Sequence, residues 1–211
     1  MGTQSECVLA AHFHLTEHPQ SAADQLAKMV KEAGNQLQTG FVGTPYLLHV
    51  LSDYGYAELA YTLLLRKEYP SWLYPVTKGA TTIWEHWDGI MEDGGFWSAD
   101  MNSFNHYAYG SVADWVYQKA AGIHTTEDAP GYAFIRFAPV PDVRLSWLTA
   151  SLQTRHGLVE SGWRQEMESG AMRSRLRSTP KSALTKIHRR SQPGTISFTV
   201  RCSHRLQLYI S

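Results

Sequence analysis

Apolar residues recur at helical spacing through the first half of the chain. Cys7, Val8, Ala11 and Leu15 mark one face between Thr3 and Leu15, and Ala22, Leu26, Met29 and Val30 mark another between Ser21 and Lys31, with Pro19 and Gln20 as punctuation. Gly34-Asn35 is a helix stop. Thr44-Pro45 supplies an N-cap followed by proline in the first turn, which predicts a third helix from Pro45 to about Asp53. Gly55 ends it tightly, and Tyr56 to Glu68 restarts with Leu59, Ala60, Leu63 and Leu64 on one face. Ser103 or Asn105 is the expected start of a fifth helix running through Tyr109, Val112, Ala113 and Val116 to Gly122.

Antiparallel helices joined this way sort their loops into two ends. If the second helix runs upward, the Gly34–Gly43 loop lies at the top, the Gly55 turn at the bottom, and the long Tyr69–Met101 segment again at the top. Both chemically rich loops are therefore expected on one face. A long loop packed with Trp, Glu and Asp reads as a binding rim. After Gly122 the pattern changes: Tyr132, Phe134, Ile135, Phe137, Val140 and Val143 sit among prolines, and LSWLTASLQT and HGLVESGWRQE have period-two character. The expected class is mainly α, with a small β appendage following.

Composition narrows the function. Formal net charge is +0 and charged residues make up 18%, which argues against a nucleic-acid partner for the chain as a whole. The average hides an asymmetry, because residues 169–211 hold nine Lys and Arg and no Asp or Glu. That stretch reads as a basic, poorly ordered tail that packs weakly on the rest, or as foreign or out-of-frame sequence. No apolar run is long enough for a membrane span, and the N-terminus lacks signal-peptide character, so a soluble chain is expected with its compartment unknown. Cys7 and Cys202 lie far apart and read as ordinary thiols; His12, His14, His18 and His49 have no metal-ligand spacing, so neither metal nor cofactor is expected.

Seven Trp and eleven Tyr exceed what a small core needs and suit stacking on flat ligands such as sugars. The chemistry concentrates in TTIWEHWDGIMEDGGFWSADMNSFNHYAYG, Thr81 to Gly110, which carries three Trp, five carboxylates and two His. Glycoside hydrolysis uses that mixture: carboxyl groups move protons and aromatic faces hold the pyranose. Glu85 stands between Trp84 and Trp87, a partly desolvated setting suited to acid or base duty; an ion-paired or capping glutamate is the competing reading. Asp88 is a weaker candidate because Asp-Gly is ordinary turn chemistry. His106 can bond a sugar hydroxyl or serve as a cap. Phe41, in the bendable TGFVGTPYLLHVL loop, can present a ring to the same rim or belong to a plain turn. That loop lacks the Lys-Ser/Thr pair of a phosphate cradle.

The stretch GNQLQTGFVGTPYLLHVLSDYGYAELAYTLLLRKEYPSWLYPVTKGATTIWEHWDG, continued by SFNHYAYGSVADWVYQKAAGI and GYAFIRFAPVP, resembles the bacterial-type α-L-rhamnosidases of glycoside hydrolase family 78. The resemblance implies that 1–130 is the C-terminal part of an (α/α)6 six-hairpin barrel and 131–168 the start of a C-terminal β domain. It implies inverting release of L-rhamnose from glycosides. Under it Glu85 is the general base, His106 contacts rhamnose, and Trp84 and Trp87 line the pocket. His86 stands where the family usually has Arg, a loss of bidentate donor capacity beside the base. The D-x-P-Q-R-D-E-R-type stretch that carries the family's general acid is not in this sequence. The chain is therefore expected to be an incomplete fragment, with the missing N-terminal part of the enzyme as its partner and rhamnose-containing glycosides as substrates. A non-catalytic carbohydrate-binding or regulatory remnant, and a structural helical-repeat protein, are the alternatives.

Overall fold

Thr3 opens the first helix by accepting the Glu6 amide on its hydroxyl at 3.2 Å, and α1 (Gln4–His12) follows, burying Cys7, Val8 and Ala11. In the computed structural model, which describes residues 1–126, 128–168 and 171–180, α2 runs Pro19–Glu32. It starts at Pro19 itself, because a first-turn residue needs no amide hydrogen and the fixed φ of proline suits the helix. Leu26, Ala27 and Val30 are buried on its inner face. Gly34 and Asn35, both at positive φ, end it, with the Asn35 amide donating to Val30 O at 2.9 Å.

The loop that follows is not free-standing. Buried Gln4 donates to Gln36 O at 3.1 Å and accepts the Gln38 amide at 2.8 Å, so the start of α1 holds residues 36–38 in place. Helix α3 (Thr44–Asp53) buries Leu47, Leu48, Val50 and Leu51; α4 (Ala57–Leu65) buries Leu59, Ala60, Tyr61 and Leu63. The periodicity extends α4 to Glu68, but Arg66 turns extended and spends its guanidinium on Gly34 O at 3.1 Å. A short helix the periodicity does not show, α5 (Leu73–Thr77), is started by the buried Ser71 hydroxyl, which accepts the Tyr74 amide. The expected fifth long helix begins later than Ser103 or Asn105. The Glu85 amide donates to Ser103 O and the His106 amide to Ile83 O, so the backbone groups of this stretch pair with another loop arm and not within a helix. Helical structure resumes as a 3₁₀ turn, Ala108–Ser111, then α6 (Val112–Trp115) and a π turn, Val116–Ala120.

The chain divides into two compact units, the first being Met1–Val112 and the second starting at Ala113. In the second, β1 (Ile123–Thr125) pairs antiparallel with β2 (Ile135–Phe137), so strand structure starts before Tyr132. A second sheet is the meander β3 (Trp147–Thr154), β4 (Gly157–Glu168) and β5 (Ala171–Pro180), with Leu148 opposite Trp163 and Val159 opposite Pro180. Strand β4 also caps the helical segment: the Ser161 hydroxyl donates to Ala121 O at 2.8 Å and the Trp163 indole to Ala120 O at 2.9 Å. Carbonyls left unpaired at a helix end thereby gain buried donors. The backbone of Ala171–Pro180 forms a paired strand within the stretch whose charge pattern reads as a basic tail. There Met172, Ser174 and Leu176 alternate with Arg173, Arg175 and Arg177, a period-two pattern that the count of charges obscures. The expectation of weak packing for 169–170 and 181–211 falls outside the described residues. Among the described residues no helix is long and apolar enough to cross a membrane.

The second unit also holds a partly buried ion pair, in which Arg144 Nε and Nη2 grip Asp142 Oδ1 and Oδ2 at 2.7 Å each. Burial of Asp142 acts to raise its pKa, but the hydrogen bonds and charge of Arg144 outweigh it and hold the carboxyl below its ordinary value of 3.8. A depressed folded-state pKa contributes stability above the unfolded value and loses it as pH falls through the folded one. Arg144→Met is therefore expected to cost about 1–3 kcal/mol at neutral pH, and the deficit should shrink below about pH 4. Urea unfolding at pH 7 and pH 3 checks both.

Candidate active site

Two loop arms, residues 82–85 and 103–106, are laced together by hydrogen bonds. The Glu85 amide donates to Ser103 O at 2.9 Å, and the Ser103 amide returns a bond of 3.1 Å to Glu85 Oε2. The Thr82 hydroxyl donates to Phe104 O, and the His106 amide to Ile83 O at 2.8 Å. The carboxylate is thus anchored through Oε2 to a main-chain donor. Aromatic rings pack on one another in the same segment. Trp87 stacks on Tyr109 at 3.7 Å and meets Trp72 edge-on at 5.3 Å, while Trp84 meets Phe104 edge-on at 5.0 Å. The Trp72 indole donates to Tyr109 O at 2.9 Å, fixing that wall to the helical core.

His106 comes to the same place. It stacks on Phe41 at 5.0 Å, so the loop before α3 and the long loop after α4 meet at one site, as the hairpin argument requires. Its Nδ1 accepts the Ala108 amide at 3.2 Å and so caps the 3₁₀ turn. A neutral imidazole that accepts on Nδ1 carries its proton on Nε2, the nitrogen left to donate to a ligand. His86 stacks on Trp97 at 3.6 Å. Asp88 lies near two phenols. Burial first, then the Asp88 charge, raises the Tyr69 pKa; burial, then Glu92 and Asp88, raises that of Tyr74. Tyr109 is likewise raised by burial, then by Tyr69 and Glu85, so this group stays protonated and neutral beside the carboxylates.

The structure therefore brings Phe41, Trp84, Glu85, Trp87, Asp88 and His106 into one neighbourhood of the first unit. Trp84 and Trp87 are 5% and 8% exposed, walls packed on other rings, whereas Trp97 is 45% exposed. Tyr109, Trp72, Trp97 and Ser103 are participants that sequence reasoning did not single out; only the NHYAYG context of Tyr109 carried a signal. Among the described residues no group of three or more His, Cys, Asp or Glu could hold a metal ion.

Gly89 fixes the turn beyond Trp87. A Cβ there would meet Asn102 Oδ1 at 3.0 Å and both Phe104 Cε1 and Trp84 Cε3 at 3.1 Å. Asn102 in turn donates to Gly89 O at 2.7 Å, and its buried Oδ1 has no hydrogen-bond partner among the described residues. Gly89→Ala must push apart rings and amide alike, at an expected cost of about 1–3 kcal/mol. Thermal unfolding of the variant measures it.

Comparison with known proteins places this geometry. Residues 1–120 match the family model described as bacterial alpha-L-rhamnosidase 6 hairpin glycosidase domain, and residues 122–186 the bacterial alpha-L-rhamnosidase C-terminal domain. An alpha-L-rhamnosidase of Streptomyces avermitilis is 44% identical over 165 residues, 77% of this chain and 16% of the relative. One of Formosa agariphila is 42% identical over 169 residues, 79% of this chain and 18% of the relative. The structure of the Streptomyces avermitilis enzyme complexed with L-rhamnose superposes with a TM-score of 0.78 at 37% identity, covering 93% of this chain and 20% of that one. The native Aspergillus terreus enzyme gives 0.81 at 31%, covering 94% and 23%. The chain thus spans less than a fifth of the length of these two curated relatives.

Proposed function

Because the chain belongs to the bacterial α-L-rhamnosidase family of six-hairpin glycosidases, we propose that it carries the general base of an inverting α-L-rhamnosidase. The observation that carries this reading is the Glu85 carboxylate, anchored by the Ser103 amide within an aromatic rim that also holds His106. Glu85 Oε1 accepts a proton from water as that water attacks the anomeric carbon and the bond to the aglycone oxygen breaks. His106 Nε2–H donates to a rhamnose hydroxyl, with Phe41 supporting the imidazole and Trp84, Trp87 and Asp88 completing the pocket. An inverting hydrolysis also needs a carboxylic acid about 6.5–9.5 Å from the base to protonate the leaving oxygen. In this reading that acid, and the rest of the barrel, come from the part of the enzyme that the relatives carry beyond the span matched here. Rhamnose-containing glycosides are the substrates.

The experiment is hydrolysis of an aryl α-L-rhamnoside by the 211-residue chain alone and mixed with the N-terminal part of a related barrel. The reading expects no turnover alone and turnover in the mixture. Efficient hydrolysis by the chain alone contradicts the shared active site. Rhamnose binding without turnover in either case favours a non-catalytic carbohydrate-binding remnant.

A further inference from the structure

Gln4 is 1% exposed in the first turn of α1, where an apolar side chain would serve the packing of the helix and where Thr3 already supplies the cap. A buried amide costs free energy unless both of its ends are paired. Both ends of this one go to the loop between α2 and α3: Nε2 donates to Gln36 O at 3.1 Å, and Oε1 accepts the Gln38 amide at 2.8 Å. With a carbonyl on one side and an amide on the other, the orientation of the side chain is settled by its partners. Glutamine alone offers a donor and an acceptor at this reach, since asparagine is one methylene shorter and ionised glutamate has no donor.

The loop closes just beyond those bonds. The Thr39 and Thr44 hydroxyls, both buried, lie 2.8 Å apart, and Thr44 Oγ1 also donates to Thr39 O at 3.1 Å. The Gly43 and Thr44 amides both return to Gly40 O, at 3.2 and 2.9 Å. A Cβ at Gly43 would come within 2.9 Å of Ser5 Oγ and 3.1 Å of Thr39 Cγ2, so this side of the loop lies directly on the start of α1. Phe41 stands between these ties. Its ring lies 5.0 Å from that of His106 at 11°, and 5.1 Å from that of Tyr109. The connection runs from Gln4 through the loop backbone to the imidazole, and every link is a contact within the first unit.

We propose that Gln4 is a positioning residue for sugar binding: it fixes the loop that holds Phe41 on His106, and so sets where the imidazole meets the ligand. This rests on the reading of His106 as the rhamnose contact. Gln4 itself touches no substrate. It acts by keeping the Phe41 ring in one place, which lowers what ordering the imidazole on binding would cost. Its loss is then felt as affinity, because a contact made alike in the ground and transition states contributes to KM and not to kcat.

The test starts from the His106 ring-proton resonances of the 211-residue chain, which sense the Phe41 ring. Phe41→Ala gives their positions without it. Gln4→Met, similar in length but able to make neither bond, should move them toward those positions, and in a Phe41→Ala background it should move them no further. Gln4→Glu keeps the acceptor for the Gln38 amide and should give a smaller displacement in the same direction, which decides the matter even if Gln4→Met does not fold. Val8→Ala, a loss at a fully buried position of α1 that breaks no loop bond, should leave the resonances unmoved. With the N-terminal part of a related barrel added, Gln4→Met should raise KM for an aryl α-L-rhamnoside about two- to tenfold with kcat retained. Wild-type resonances in both Gln4 variants, or the same displacement with and without Phe41, overturn the positioning role whatever His106 binds. The expected displacement with KM unchanged removes His106 as a rhamnose contact, and the proposal falls with that premise.

Discussion

Glu85→Gln, in a barrel completed by the N-terminal part of a relative, is expected to lower turnover of an aryl α-L-rhamnoside by about 10²–10⁴ while rhamnose affinity changes little. The amide keeps the shape of the side chain, and its oxygen can still accept the Ser103 amide as Oε2 does. It loses only basicity. Steady-state kinetics with a separate rhamnose titration divide the two effects: a fall in kcat with binding retained identifies a group that acts on the reacting water. A variant with near-full turnover removes the base role from Glu85. Loss of binding with turnover preserved would make it a sugar ligand.

The largest expected effect on stability lies in the second unit. Gly122 sits at φ +68, and a Cβ there would overlap the backbone of Ala138 and Pro139. That backbone cannot yield cheaply, because the Ala138 amide donates to Gly122 O at 2.9 Å and Ile123 pairs with Phe137 next door. Gly122→Ala is expected to cost about 2–4 kcal/mol, combining left-handed strain with overpacking. Gly34→Ala is the internal control: φ is +71, nothing among the described residues lies within 4 Å of its added methyl, and only the strain of about 1 kcal/mol applies. Urea unfolding followed by tryptophan fluorescence separates them. Equal losses would mean that the close approach of 138–139 is not sterically fixed.

Local pattern revealed the long elements and hid the short ones. Helices α1, α2 and α4 were legible from apolar residues at helical spacing and strands β3 and β4 from period-two character, whereas α3, buried throughout residues 47–51, was legible from Thr44-Pro45 and the Gly55 stop. Helix α5 was not, since five residues inside an aromatic stretch show no period and the cap, Ser71, is marked only by its bond to Tyr74. The delayed start of the fifth helix has a similar cause. Residues 103–106 look like a helix start, but their backbone groups are taken by partners at 83 and 85, a pairing between loop arms that no local window contains. At the site, the composition around WEHWD pointed to Glu85, while its role came from the family resemblance. Which indoles would be walls and which would be open was not legible, because burial of Trp84 and Trp87 depends on Phe104, Tyr109 and Trp72, and exposure of Trp97 on the hairpin that carries it.

The central claim is that Glu85 activates water for direct displacement, and the configuration of the first-formed sugar tests it. Proton NMR of the completed barrel hydrolysing an aryl α-L-rhamnoside, recorded before mutarotation, should show β-L-rhamnose appearing first and the α-anomer growing in later. Initial release of α-L-rhamnose would require two displacements through a covalent intermediate, and Glu85 could not then be the base of a single-step inversion.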